Sequence, residues 1–229
     1  MFRIILSVFF FFLVNLTTFA LDNDDLVKTQ SIQERIDDCG YKILNANKIE
    51  RRVVFAYDKN DVKFRYPNSV KNRKVVLYEN DYQFISNNDE LAAYLAREIS
   101  LAIRSFDGVA GGFLRSLQVC ASPKKFEIVA DKRAVDYMVM AGYNPIGLIT
   151  YIQKSSPQAR QDLISNKNLT SKRLAIIYEY ILTKYPYYLV HNPYIQTEAY
   201  QNFLLTSYKN RKLLEQKITS GSKKAVKYE

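Results

Sequence analysis

The chain has 229 residues, of which 48% are hydrophobic, so it can bury a core as one domain or as a domain with an appendage. Its 33 lysines and arginines outnumber its 23 aspartates and glutamates, which gives a net charge of +10. The basic residues are spread along the chain without an aromatic-basic nucleic-acid-binding motif, which argues against a nucleic-acid partner. The basic surface is therefore either simply solvated or in peripheral contact with an anionic membrane surface.

Residues 1–20 have the composition of a signal peptide. Arg3 supplies the positive start, residues 4–14 form a nearly unbroken apolar run, and residues 17–20 offer a small-residue cleavage site. A single membrane span is the alternative, but the run is shorter than the ~20 residues that a bilayer helix needs, and acidic residues follow closely. The sequence predicts an exported protein, either periplasmic or secreted, whose mature chain starts near Leu21.

The mature part contains two cysteines, Cys39 and Cys120. An oxidising compartment permits a disulfide between them, and the loop of about 80 residues would contribute about 4 kcal/mol on the chain-entropy model. Two buried free thiols are the alternative. A zinc cluster is excluded, because neither cysteine has the nearby second cysteine that such a site uses.

The first part of the mature chain combines a helical lead-in with three short β-rich runs. Apolar residues recur among charged ones over residues 21–50, as in a helix. Residues 52–57, 62–66 and 74–78 are rich in valine, phenylalanine and tyrosine and are separated by turn-forming residues. The sequence therefore predicts a small three-stranded sheet.

The rest of the chain is predicted to be helical. Asn87 can cap a helix whose capping box is completed by Glu90 and whose apolar stripe continues to about Ser105. Gly142 suits the position after a helix end, and Asn144-Pro145 is typical of a helix start. Further helices are predicted from Pro123 to Ala141, from Ile146 to Lys154, around residues 174–182 and over residues 194–218.

These elements predict an α+β fold that is mostly helical, with a helical C-terminal region. We expect one domain over residues 21–185 and a helical extension over residues 186–219. Residues 220–229 are predicted to be a disordered tail.

Two segments carry the candidate chemistry. Arg97 and Leu101 are four residues apart and leave a helix on the same face, and Glu98 follows Arg97. Two histidines at that spacing, with a glutamate after the first, hold zinc and a general base in H-E-x-x-H peptidases. Neither position can bind zinc here, because a guanidinium has no free lone pair and leucine has no donor atom. Glu127 and Asp131 also share a helical face, which by itself is typical of a solvated acidic surface.

Four segments of the chain form a combined pattern. They are Val75-Val76-Leu77-Tyr78, Asn88-Asp89-Glu90-Leu91-Ala92, Glu127-x-x-Ala130-Asp131 and Ala141-Gly142-Tyr143-Asn144-Pro145. Together they resemble the M48 family of zinc metallopeptidases (CAAX prenyl protease/HtpX-like), and most closely its exported bacterial members. The resemblance covers roughly residues 52–183 and implies a zincin-like (gluzincin) domain within residues 21–185.

The resemblance implies a role for each residue of the pattern. Arg97 and Leu101 occupy the positions of the two zinc-binding histidines, and Glu98 occupies the position of the general base. Glu127 occupies the third zinc-ligand position. Asp131 occupies the position that orients a ligating histidine.

Other histidines of the family are also replaced. A His-Pro that precedes a Ser/Thr-x-x-Arg run in the family would fall at Lys167-Asn168, ahead of residues 171–173. The only histidine of the chain, His191, lies outside the matched region. Zinc is therefore not expected to be retained, and whether any enzymatic activity remains is an open question.

Without a metal, the carboxylates of Glu98, Glu127 and Asp131 would form a partly buried acidic cluster, which is costly unless it is compensated. We expect Arg97 to supply the compensating charge through contacts with Glu127 or Asp131. The alternative is that Arg97 points into solvent.

The sequence thus predicts an inactive peptidase that binds an extended peptide or an envelope protein, or acts as a scaffold. Strand 74–78 precedes the site helix, where family members present a sheet edge to an extended substrate, and strand addition needs no zinc. The alternatives are a residual or unconventional metalloendopeptidase and a secreted effector that binds a surface. The sequence does not indicate an oligomeric state.

Overall fold

The computed structural model describes residues 28–29, 31–60, 73–104, 123–156 and 169–228. In these ranges the chain is mostly helical and carries one small parallel sheet, which confirms an α+β fold. In chain order the elements are α1 (31–46), β1 (Val54–Asp58), β2 (Lys74–Tyr78), α2 (Glu79–Tyr82), α3 (Asn88–Arg104), α4 (Pro123–Met140), α5 (Ile146–Ser155), α6 (Leu169–Lys184), α7 (Tyr187–Val190), α8 (Glu198–Thr206) and α9 (Tyr208–Thr219).

The sheet has two strands within the described ranges, not the three that were predicted. β1 pairs with β2 in parallel, in register from Val54 opposite Lys74 to Asp58 opposite Tyr78. The predicted middle strand, residues 62–66, lies outside the described residues. Parallel pairing requires a crossover rather than a tight turn between the two strands. The turn-forming residues after β1 did not indicate such a crossover.

Helix α1 covers the outer edge of β1 with a side chain. The side-chain oxygen of Gln33 accepts a hydrogen bond from the backbone N–H of Tyr57, at 2.7 Å, and its amide nitrogen donates to the carbonyl of Phe55, at 3.3 Å. This amide takes the place of a neighbouring strand. Phe55 and the β2 residues Val75 and Leu77 turn inward and join the main core.

Helix α3 starts with the predicted capping box. The backbone N–H of Glu90 donates to Oδ1 of Asn87 at 2.9 Å, and the carboxylate of Glu90 accepts from the backbone N–H of Ser86 at 2.7 Å. Leu91 and Ile99, on the predicted apolar stripe, are fully buried. The helix that carries residues 97 to 101 is therefore anchored both at its start and along its inner face.

The turn between α4 and α5 also follows its local signals. Gly142 has a φ of +75°, a conformation that favours glycine after a helix end. Oδ1 of Asn144 accepts from the N–H of Ile146 at 3.0 Å, close to the predicted helix start. At Gly147 a Cβ atom would lie 2.8 Å from the backbone carbon of Asp89, so glycine is what lets α5 approach the start of α3.

The C-terminal region differs from its prediction in the number of its helices. Residues 194–218 form two helices, α8 and α9, instead of one, and the break falls at Ser207. Phe203 of α8 is fully buried in the main core, and the hydroxyl of Tyr194 donates to the carboxylate of Asp89 on α3. Tyr200 and Phe203 of α8 therefore belong to the main core, whereas Leu214 of α9 belongs to a second cluster with Ala175.

Residues 220–228, predicted to be a disordered tail, run back along α6. Tyr228 is buried against Ala175 and Leu214, and its hydroxyl donates to Oε2 of Glu179 at 2.8 Å. The lysine-rich composition of this segment did not predict that its tyrosine would be buried with its hydroxyl bonded to a carboxylate. We call residues 222–228 the strap.

Cys39 is buried and is bonded to no other cysteine of the described ranges, and burial raises the pKa of its thiol to about 11. Cys120 lies outside the described residues, so the pairing of the two cysteines stays a prediction. The predicted signal peptide lies outside them as well. Within the described ranges, no helix is both long and apolar enough to cross a bilayer.

Candidate functional site

Arg97 points from α3 into the contact with α4. Its Nε lies 3.2 Å from Oδ1 of Asp131, and its Nη2 lies 3.5 Å from Oε1 of Glu127. The third guanidinium nitrogen, Nη1, lies 3.5 Å from Oε1 of Glu98 on the same helix. Each nitrogen therefore faces a different carboxylate, and the side chain of Arg97 is only 17% exposed. This is the compensating arrangement that the sequence predicted, and Arg97 does not point into solvent.

The electrostatics of this contact favour the charged guanidinium. Burial alone would lower the pKa of Arg97, but the carboxylates of Asp131, Glu98 and Glu127 outweigh burial and raise it. The positive charge of Arg97 is thus a permanent part of the α3–α4 interface.

Asp131 has a second arginine partner that the sequence did not identify. Arg173 of α6 donates from Nε to Oδ2 of Asp131 and from Nη2 to Oδ1, the latter at 2.7 Å. This two-pronged geometry is the strong form of an arginine–carboxylate contact. Asp131 is 1% exposed, so its buried charge is shared by two arginines on two different helices.

We refer to Arg97, Glu98, Glu127, Asp131 and Arg173 as the ion-pair cluster. It joins α3, α4 and α6 and holds two positive and three negative side chains. The cluster brings together four of the predicted site residues. Its fifth member lies in the 171–173 run, which the sequence marked only by its likeness to a family motif.

The residues present do not fit a zinc ion. Catalytic zinc sites use three protein ligands with nitrogen, sulfur or oxygen donors. Leu101 offers only hydrocarbon and Arg97 only donors, while the carboxylates of Glu127 and Asp131 already face arginine. In the part of the chain that is described, no three histidine, cysteine, aspartate or glutamate side chains are grouped as a metal site requires.

The only histidine, His191, makes local contacts. It lies at the end of α7, where its ring stacks on Tyr187 with centroids 4.3 Å apart, and its Nδ1 lies 3.2 Å from the carbonyl of Tyr187. These contacts do not involve the ion-pair cluster.

Two tyrosines lie beside the cluster, and the sequence analysis did not single them out. Tyr94 of α3 and Tyr151 of α5 meet edge to face, with ring centroids 5.9 Å apart. Burial raises the pKa of both hydroxyls; Glu98 adds most to this effect at Tyr94, and Asp81 at Tyr151. Both tyrosines therefore stay neutral and able to donate at ordinary pH.

Tyr94 connects the site helix to β2. Tyr94 lies one turn of α3 before Arg97, and its hydroxyl donates to the carbonyl of Val76 at 2.7 Å. The backbone N–H of Val54 donates to the carbonyl of Arg73, so residues 73, 75 and 77 face β1. By the alternation of a parallel ladder, Lys74, Val76 and Tyr78 turn their backbone groups to the opposite edge.

Among the described residues, no strand pairs with this outer edge of β2. The side chains of Val76 and Tyr78 are half-buried, and Lys74 is exposed. The two sides of the sheet therefore differ: Gln33 covers the edge of β1, whereas the edge of β2 has a tyrosine hydroxyl on one of its carbonyls.

Comparison with known proteins finds no matching family model, no matching curated protein and no matching solved structure.

Proposed function

We propose that this chain is an exported, peptidase-like protein of the M48 type that its sequence resembles, and that it binds an extended peptide segment of an envelope protein without hydrolysing it. The observation that supports this proposal is the contact of all three guanidinium nitrogens of Arg97 with carboxylates. Those carboxylates include the predicted general base, Glu98, and the predicted ligand, Glu127.

Hydrolysis lacks its chemical parts at this position. A metallopeptidase glutamate removes a proton from a metal-bound water, whereas Glu98 faces a guanidinium, which has no lone pair with which to hold a metal. A serine or cysteine nucleophile needs a base beside it, and His191 is held in contacts of its own. The ion-pair cluster is therefore a structural element in this proposal.

Peptide binding needs only the sheet edge. A strand added to β2 would bond to the backbone groups of Lys74 and Val76, and such bonds require no catalytic residue. The hydroxyl of Tyr94 bonds to the carbonyl of Val76 and fixes this edge beside the site helix. A protein that has lost its metal ligands can keep this function.

Peptide binding at the outer edge of β2 can be tested with one pair of variants. Linear peptides selected from a phage-displayed library against the full chain provide the probe. Val76→Pro removes the outward N–H of residue 76, and proline is tolerated in strands at outward-facing edge positions. We expect it to weaken peptide binding about 10-fold, the effect of one lost hydrogen bond. Val76→Thr keeps the N–H and should bind as the parent does. Equal binding by Val76→Pro would contradict an edge-bound peptide.

The loss of the metal site can be tested by restoring it. Metal analysis of the purified chain should find no stoichiometric zinc. The double variant Arg97→His/Leu101→His should bind one zinc ion together with Glu127. The matched variant Arg97→Gln/Leu101→Gln should bind none, which separates ligation from any effect on folding. Stoichiometric zinc in the parent chain that is lost on Glu127→Ala would overturn the inactive-peptidase proposal in favour of a residual metalloendopeptidase.

A further inference from the structure

A cavity of about 420 Å³ lies between α6 and α9, away from the ion-pair cluster. Its apolar lining includes Leu182 of α6 and Leu214 of α9, and two basic side chains, Arg211 and Lys212, also line it. A cavity of this size is in the range of small-molecule sites, but its mixture of apolar and basic lining is not typical of them.

Two large apolar side chains of α9 are exposed at this cavity. Tyr208 is 61% exposed and Ile218 is 59% exposed, and both line the cavity, so they share one face of the helix. Ten residues of helix separate them by about 15 Å. Arg211 and Lys212 lie between them on the same face, and Lys209 is one turn before Lys212.

The strap adds basic residues beside the same cavity. Val226 and Tyr228 of the strap pack with Tyr178, Leu182 and Leu214, which also line the cavity. With those apolar side chains turned inward, the lysines of the strap (Lys223, Lys224 and Lys227) are exposed. The strap therefore holds its charges beside the cavity instead of leaving them on a loose tail.

The charge of this region is one-sided. Residues 207–228 contain seven lysines and arginines and one glutamate, Glu215. Lys217 is paired with Glu179 of α6 at 2.6 Å. This face combines positive charge with two exposed apolar side chains, and an anionic lipid surface attracts both.

We propose that this face, formed by Tyr208, Lys209, Arg211, Lys212 and Ile218 together with the strap, binds an anionic lipid bilayer. The exposed lysines contact lipid phosphates, whereas the guanidinium of Arg211, which donates to the carbonyl of Leu204 at 2.8 Å, adds its positive charge from within the helix junction. Tyr208 and Ile218 enter the interface between headgroups and acyl chains, a region in which tyrosine is enriched because its ring is apolar and its hydroxyl is polar. This surface is separate from the outer edge of β2, so membrane binding can be correct even if peptide binding is not, and the reverse.

The chain contains no tryptophan, so a single introduced tryptophan reports on one position. The test compares Tyr208→Trp with Tyr187→Trp, an equally exposed position at 65% on α7. Each full-length variant is mixed with vesicles of phosphatidylcholine, with and without phosphatidylglycerol. We expect a blue shift for Tyr208→Trp with the anionic vesicles only, and none for Tyr187→Trp.

A charge variant completes the test. Adding Lys209→Gln and Lys212→Gln to Tyr208→Trp should weaken vesicle binding roughly 30-fold, because each basic residue near an anionic surface contributes about 1 kcal/mol. The same charge change at Lys28 and Lys48 should have little effect. Absence of the blue shift, an equal shift with neutral vesicles, or an equal shift with soluble heparin would overturn membrane binding by this face.

Discussion

Helix α4 carries two aspartates, Asp131 and Asp136, that each accept several hydrogen bonds in very different surroundings. Asp131 is 1% exposed and is held by Arg97 and Arg173. Asp136 is 30% exposed and accepts from Lys184 at 2.8 Å, as well as from two tyrosine hydroxyls. The number of partners is similar, but only at Asp131 would a lost partner leave a charge that water cannot reach.

This difference indicates where the fold depends on ion pairs. A surface pair gains little over the hydration of its two groups, and breaking it costs little. A buried pair gains little in its formation as well, yet removing one partner leaves an uncompensated charge in a medium of low polarity. The ion-pair cluster is therefore a point of vulnerability more than a source of stability.

The largest loss of stability is expected for Arg97→Ala. We expect it to lower the free energy of unfolding by about 2 kcal/mol or more, because the buried carboxylate of Asp131 loses one of its two arginine partners. Chemical denaturation followed by circular dichroism measures the change. Arg97→Met keeps most of the side-chain volume and separates the lost charge from lost packing. A parent-like melting temperature for Arg97→Ala would show that the stability of the fold does not depend on the ion pairs of Arg97.

An intermediate case is Glu179, which joins α6 to α9 through Lys217 and to the strap through Tyr228. Burial works against its charge, but the hydrogen bonds from Lys217 and Tyr228 outweigh burial and lower its pKa below the usual 4.5. A carboxylate with a lowered folded-state pKa stabilises the fold above its unfolded pKa, and this contribution is lost as the pH falls through the folded-state pKa.

Glu179→Gln should therefore be less stable than the parent by about 1 kcal/mol at neutral pH. The two melting curves should converge in acid, once the parent carboxylate is protonated. Thermal melts across the pH range provide the measurement. A difference that stays constant down to strongly acidic pH would rule out the ionised Glu179 as its source.

The smallest effect is expected at the exposed aspartate. Lys184→Ala should change the free energy of unfolding by less than about 0.5 kcal/mol, because the side chain of Lys184 is 48% exposed and water can take its place at Asp136. The denaturation assay used for Arg97→Ala gives the direct contrast. A loss as large as that of Arg97→Ala would mean that burial does not decide the value of these contacts.

Much of the local structure could be predicted because its signals are local. The capping box of Asn87 and Glu90, the helix end at Gly142 and the start at Asn144 each depend on residues within one turn. The helical spacing of residues 97, 101, 127 and 131 likewise predicted which side chains share a face. The contact of Arg97 with Asp131 follows from that spacing and from the need to compensate charge.

The features that were missed depend on contacts distant in sequence. Arg173 reaches Asp131 across 42 residues, and Tyr228 reaches Glu179 across 49, so no local pattern indicates either partner. The break between α8 and α9 depends on burial of Ser207, whose hydroxyl donates to the carbonyl of Phe203 at 2.6 Å. Parallel pairing of the strands was missed because turn-forming residues after β1 are equally typical of a hairpin.

The contact of Arg97 with three carboxylates also has a consequence for metal binding. A pair of zinc-binding histidines on this helix turn would require two substitutions, at positions 97 and 101. Histidine at position 97 alone would remove one of the two arginines that hold the buried Asp131, and histidine at position 101 alone would gain no metal while Arg97 remains. Neither single step is favourable, so the contacts of Arg97 that stabilise this fold also oppose the formation of a metal site at the same helix turn.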